Sequence, residues 1–225
     1  MEPSFYPSGV LVERLYLQMN EIAMLDESSL SKAVELLCQR DATLQSVVDQ
    51  FGLPPLWARE PGFSTLIHII LEQQVSLASA KACFDKLNSA LEELNPGSFL
   101  CLSDDALLSI GFSRQKTRYS RILAQSILDK SLKLEVLENL SDKEVYTQLT
   151  ALTGIGPWTA NIYLLMALGR ADIWPGGDLA LEVALQNLLG LDHRPRGEEF
   201  HTLAEGWRPH RAVAARILWH YYLSQ

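Results

Sequence analysis

Several chemistries are excluded by what this 225-residue chain does not contain. Its three cysteines, Cys38, Cys83 and Cys101, are widely spaced and form no CxxC pair, so neither a redox dithiol nor a zinc knuckle is encoded. A four-thiolate iron–sulfur cluster would need one cysteine more. Reduced core thiols are expected instead. The five histidines, His68, His193, His201, His210 and His220, include no HExxH and no tight pair around a carboxylate. That pattern argues against a built-in catalytic zinc and assigns them to the surface or to packing. No apolar run is long enough to span a bilayer. The opening MEPSFYPSG carries an acid and two prolines where a secretory leader has a basic region and an apolar stretch, so a cytoplasmic protein is expected. Basic charge is short as well. Nineteen Lys and Arg face 27 Asp and Glu, a net charge of -8. This counts against a nucleic-acid partner, because affinity for phosphate backbones usually rests on cations that displace counterions.

What is present is an ordinary globular composition, 48% hydrophobic and 20% charged, at a length that can bury a real core. Apolar residues recur at helical spacing nearly throughout, as in Leu107, Leu108 and Ile110, then Ile122, Leu123, Ile127 and Leu128. Sustained period-two alternation is absent, so the fold class is all-α. Helices are predicted over about 10–24, 29–38, 41–51, 63–73, 77–91, 103–110, 114–129, 141–151, 157–169, 179–189 and 208–223. Breaks fall at 52–55, at Asn95-Pro96-Gly97, at 154–157 and at Pro175-Gly176-Gly177. None reads as an interdomain linker, and no internal repeat or low-complexity tract is visible.

Two of these breaks carry chemistry. LTGIGPWTA, residues 152–160, joins one predicted helix to the next. The alternating Gly154 and Gly156 permit left-handed backbone angles and close approach to the main chain, and Pro157 suits a first helical turn. The result would be free amides of Gly154, Ile155, Gly156 and Thr159 at a helix start, a phosphate site that needs no basic side chain. On the glycines alone, a plain helix–turn–helix corner is the favoured reading of the segment. Asp178 follows Trp174-Pro175-Gly176-Gly177 and opens LALEVALQNLLG. Taken singly it is an N-cap, a role aspartate fills at many helix starts. Twenty residues separate Trp158 from Asp178.

The hairpin, the Gly/Pro loop and the aspartate at that spacing resemble the helix-hairpin-helix DNA glycosylase superfamily. LIHIILEQQVSLASA at 66–80 and GFSRQKTRYSRILA at 111–124 extend the resemblance over most of the chain. The chain looks most like the 3-methyladenine DNA glycosylase II branch, through Trp158 just after the hairpin glycines, an imperfect WRPHR at 207–211, and Trp219. It departs from that branch where the family's pocket tyrosine aligns with Ile162. Tyr163 is adjacent, about 100° away around a helix. The β-domain that precedes some members has no visible counterpart.

The resemblance implies a fold of two helical lobes, about 66–150 and 1–65 plus 151–225, with a cleft between them. It implies a monofunctional enzyme that flips an alkylated purine from duplex DNA and hydrolyses its bond to the sugar. Asp178 would stabilise the cationic sugar or activate water. Gln74 would be the wedge that fills the vacated stack, with Gln73 holding its loop, although two solvent-facing glutamines fit the same pattern. Trp158, Trp219 and Tyr163 would line the base pocket by cation–π attraction, against the alternative that helical aromatics are core. Trp174 and Trp207 are assigned to core. Lysine stands at the place of Trp158 in the strand-cleaving branch, so lyase chemistry is not expected.

Arg114 and Lys116, with Arg118 and Arg121, would face DNA, or else form a solvated helix face. No cofactor is required. A sodium or potassium ion bound by the carbonyls of Thr150, Leu152 and Ile155 is implied by the family. Duplex DNA is the expected partner of a monomer. A non-enzymatic hairpin DNA-binding protein, a glycosylase for another damaged base and a helical interaction module remain as alternatives.

Overall fold

The computed structural model describes residues 24–225. The helix expected over about 10–24 lies outside the described residues. Among those described there is no strand, so the chain is all-α, and no helix is long and apolar enough to cross a membrane.

Most helix starts coincide with short polar side chains that satisfy first-turn amides, the starts at Phe63, Pro157, Gly197 and Arg211 being the exceptions. Asp26 and Asp41 cap α1 (Glu27–Cys38) and α2 (Ala42–Phe51), and α3 (Phe63–Glu72) follows Gly62. Ser76 caps α4 (Leu77–Ser89). Asn95 caps α5 (Pro96–Cys101), Ser103 caps α6 (Asp104–Ile110) and Ser113 caps α7 (Arg114–Leu128). After a 3-10 turn at Leu134–Asn139, Ser141 caps α8 (Asp142–Thr150). Then come α9 (Pro157–Ile162), α10 (Leu179–Leu189), α11 (Gly197–Ala204), a 3-10 turn at Glu205–Trp207, and α12 (Arg211–Leu223).

Three elements escape the periodicity analysis. The helix before Asn95-Pro96-Gly97 has already ended at Ser89, and the tripeptide starts α5, because Asn95 and Ser98 form a reciprocal capping box and Pro96 suits the first turn. The turn at Leu134–Asn139 is too short to show a period, and α11 hides in a charged stretch that reads as loop. The helix expected over 157–169 is also not uniform. It is α-helical to Ile162 and widens into a π turn over Tyr163–Ala167.

Two helices are apolar almost all round and are therefore buried on every side. Helix α3 buries Phe63, Leu66, Ile67, Ile69, Ile70 and Leu71, and packs on α4, α7 and α9. Helix α12 buries every residue from Ala212 to Trp219 and packs on α1, α2 and α10. Trp174 and Trp207 are core residues as expected, stacked or tilted against Phe200 and each other. The cysteines are all free, with Cys83 buried and Cys38 half-buried. Cys101, expected in the core, is exposed because α5 turns that side outward.

Among the described residues the most buried charge is Arg216 on α12, 1% exposed and with no carboxylate partner among them. Its guanidinium donates to the carbonyls of Leu56 at 2.8 Å, Ala212 at 3.0 Å and Leu165 at 2.8 Å. Desolvation pushes its pKa down to about 10, so it stays charged at neutral pH. Replacing Arg216 by Met would leave the carbonyls of Leu56 and Leu165 unpaired in the interior. The expected loss is about 3 kcal/mol in a urea titration. An unchanged midpoint would mean that those carbonyls find other donors.

Candidate active site

The hairpin is built on one residue that must be glycine. Between α8 and α9, Gly154 has φ +101, and a Cβ there would lie 2.1 Å from the Tyr119 ring of α7. Gly156 differs: its φ is -88 and nothing lies within 4 Å of its would-be Cβ. Only Gly154 uses the left-handed freedom expected of both. The Ile155 side chain is buried and anchors the turn. Gly156 is the N-cap of α9, Pro157 opens the first turn, and no side chain caps the start. The first-turn amides thus lack intrahelical partners.

Gln73 ties this hairpin to the loop between α3 and α4. Its amide nitrogen donates to the Gly154 carbonyl and to the Thr159 hydroxyl, both at 2.9 Å. Thr159, expected at phosphate, has a buried side chain committed to Gln73, so only its backbone amide remains for that role. Next to Gln73, Gln74 adopts a left-handed backbone at φ +58 and is exposed, between the hairpin strut and the exposed Val75 and Leu77. A non-glycine residue in that region is uncommon and marks a loop held in a defined shape.

Asp178 is both the N-cap of α10 and the meeting point of two tryptophans. Gly177, at φ +77, turns the chain into it. One carboxylate oxygen accepts the Leu181 amide at 3.1 Å and the Trp219 indole N–H at 3.1 Å. The other accepts the Trp158 indole N–H at 2.8 Å. Three donors on two oxygens suit the acceptor-only, ionised carboxylate and leave about one of its four lone-pair sites open, on the oxygen facing Trp158. Asp178 is 7% exposed, Trp219 likewise, and Trp158 is half-buried. The expectation of a cap therefore holds, and the same side chain gathers the two tryptophans expected near it.

Tyr163, expected in the pocket, is instead wholly buried. Its hydroxyl accepts the Gly62 amide at 3.0 Å, and burial pushes its pKa up to about 12. The ring belongs to the core packing of the π turn.

The basic cluster on α7 is divided by the fold. Lys116 donates from Nζ to the Leu71 carbonyl at 2.6 Å, bridging α7 to the end of α3, and burial lowers its pKa. It is a brace and not a free cation at the surface. Arg121 pairs with Asp104 at 2.7 Å and bonds the carbonyls of Leu100 and Leu102. The sequence window without acids missed Asp104 because the partner comes from α6. Arg114 and Arg118 are exposed, the latter 5.5 Å over the Tyr119 ring.

One aromatic was not anticipated. Trp57, in the loop before α3, has φ +49, and its ring centroid lies 6.4 Å from that of Trp219 at 74°. No motif contains it. Its only local signal, the preceding Pro54-Pro55, marks a loop and not a site.

Residues 67–209 match the family model described as HhH-GPD superfamily base excision DNA repair protein. A putative DNA-3-methyladenine glycosylase of Bacillus subtilis, YfjP, is 24% identical over 86% of this chain and 75% of its own. The alkylbase DNA glycosidase-like protein mag2 of Schizosaccharomyces pombe is 28% identical over 87% of this chain and 95% of its own. Among solved structures, the S. pombe 3-methyladenine DNA glycosylase Mag1 in complex with abasic DNA superposes with a TM-score of 0.80. It is 26% identical, covering 84% of this chain and 95% of that one.

The two hairpin glycines should respond differently to a methyl group. Gly154→Ala is expected to lose about 2 kcal/mol or more in thermal or urea unfolding, from backbone strain and overlap with Tyr119. Gly156→Ala should stay within about 0.5 kcal/mol of wild type. Equal effects at the two positions would contradict the described turn.

Proposed function

Because the chain belongs to the HhH-GPD superfamily of base excision DNA repair proteins, we propose that it is a monofunctional DNA glycosylase releasing alkylated purines from duplex DNA. The observation that carries this reading is the Asp178 carboxylate held by two indole N–H groups beside an uncapped hairpin helix. Relatives named as 3-methyladenine glycosylases support the alkylpurine class.

In this account the groups that pack around α3 and those that pack around α12 form the two lobes, and DNA enters between them. The amides of Gly154, Gly156 and Thr159 hold a backbone phosphate without a cation side chain, which reconciles DNA binding with the net charge of -8. The Ile155 amide, expected among them, is committed to the Leu152 carbonyl. The carbonyls of Thr150, Leu152 and Ile155 could hold a monovalent cation that bridges to the same phosphate. In support, Thr150 ends α8 with no basic residue in its last turn, and the Leu152 carbonyl accepts only the Ile155 amide among the backbone bonds of this turn. Arg114 and Arg118 add exposed positive charge.

Gln74 enters the stack when the damaged nucleotide is extruded, and its left-handed backbone keeps it at the loop tip. The base lies against Trp158 and Trp219. An N-alkylated purine is cationic, so aromatic faces attract it, and its charge makes it a good leaving group. As the glycosidic bond breaks, positive charge grows on the sugar. A fixed carboxylate gains most there because that charge is absent from the ground state. The open lone-pair site on Asp178 is available to water, whose oxygen attacks the anomeric carbon while the carboxylate takes its proton. Trp158 offers no amine for a Schiff base, so the phosphodiester backbone stays intact.

The test is chromatographic release of free methylated purine from methylated duplex, with strand integrity followed on a gel, for wild type and Asp178→Asn. Asparagine caps a helix as well as aspartate does, but its Nδ2 cannot accept the second indole N–H, so the melting temperature is measured beside release to show that the variant is folded. Release is expected to fall on the order of 100-fold or more, the scale of a lost transition-state electrostatic contact, with DNA affinity retained and no strand nicking by either protein. Wild-type release in the variant would reduce Asp178 to a cap. A folded, DNA-binding wild type that releases no base would favour a non-enzymatic hairpin protein.

A further inference from the structure

The loop over 52–62 takes no part in the steps above, yet it is fastened to three elements beside proposed site groups: α12, the π turn after α9, and the end of α3. The Leu56 carbonyl accepts Arg216 of α12, one turn before Trp219. The Arg59 amide donates to the Met166 carbonyl at 2.9 Å, in the π turn that continues the helix of Trp158. The Arg59 guanidinium makes a two-pronged pair with Glu72 at 2.7 and 3.0 Å, next in sequence to Gln73 and Gln74. Gly62 donates to Tyr163.

Inside this fastened loop Trp57 holds a left-handed backbone, φ +49. For a bulky residue that conformation is strained and persists only where the surroundings over-determine it. The strained residue presents its ring to Trp219 at 6.4 Å and 74°, and to His220 at 6.4 Å and 62°. It remains half-buried, so part of the ring is uncovered. Trp219 in turn donates to Asp178. Two aromatic rings at 74° to one another therefore adjoin, and Trp219 of the pair is bonded to the carboxylate. A planar base cannot lie flat on both; stacked on Trp219, it meets Trp57 along its edge.

We infer that Trp57 is a specificity-determining residue of the base pocket, the wall that meets the edge of a flipped, positively charged purine stacked on Trp219. This rests on the glycosylase reading above. The loop's anchors hold the ring in place before substrate arrives, and its π face attracts the charge that alkylation places on the base.

Single-turnover release of 7-methylguanine from a defined duplex tests the inference in the full chain with Trp57→Leu, Trp57→Gly and Trp57→Phe. Loss of the aromatic face should slow release on the order of 10-fold in the Leu and Gly variants, and Phe should restore most of the rate. Affinity for an abasic duplex, which has no base to contact, should not move. Gly also relieves the backbone strain, so a slow Trp57→Gly protein with an undiminished melting temperature separates the role in the pocket from a role in folding. Wild-type rates in Leu or Gly, a loss that Phe shares, or a loss that tracks abasic-duplex affinity would each overturn the assignment. If wild type releases no methylated base, the glycosylase reading fails first, and the pocket with it.

Discussion

The structure around the site depends on satisfying one buried carboxylate. Asp178 is taken out of water at the start of α10, and a charge in that position is tolerated only with donors on its oxygens. Those donors come from three places: the α10 backbone, Trp158 on α9 and Trp219 on α12. Satisfying one side chain thereby fixes three helices relative to one another. Each indole N–H is turned to the carboxylate, and the ring plane of each tryptophan is set by the same bond. Position, orientation and aromatic walls are one arrangement.

A second set of ties joins that arrangement to the hairpin. Gln73 spans from the end of α3 to Gly154 and Thr159, Tyr119 fills the space that a side chain at Gly154 would take, and Lys116 braces α7 against the α3 terminus. The wedge candidate Gln74 stands directly beside this strut. Two of the sequence's few basic residues in this region, Lys116 and Arg121, are used internally. The proposed grip on DNA accordingly relies on backbone amides and a small number of exposed arginines, a solution open to an acidic chain because helix-start amides carry partial positive charge without side-chain cations.

Features set by neighbours in the chain were legible in the sequence: the all-α class, most helix limits, the break at Gly154 and the cap at Asp178. Features set by contacts across the fold were not. Tyr163 and Ile162 differ by one residue, and the π turn that follows buries Tyr163 against Gly62, which periodicity does not reveal. The window around Arg121 holds no acid, yet Asp104 reaches it from the preceding helix. Trp57 belongs to no motif, and its importance comes from a strained backbone and a partner 162 positions away. Asp178 alone in the sequence reads as a cap or a site residue, since a carboxylate at a helix start can serve either, and the two indole donors that gather on it come from across the fold.

The central claim, that Trp158 acts on the reaction partly through its hydrogen bond to Asp178, is tested most directly by a double-mutant cycle on single-turnover base release. Trp158→Phe keeps an aromatic face and removes the N–H, and Asp178→Ala removes the acceptor. In the wild-type background the Phe substitution should slow release on the order of 10-fold, the scale of a charge-assisted hydrogen bond. In the Asp178→Ala background it should have almost no effect. An equal penalty in both backgrounds would show that Trp158 contributes only as a ring, and would contradict the account of a carboxylate positioned by its aromatic neighbours.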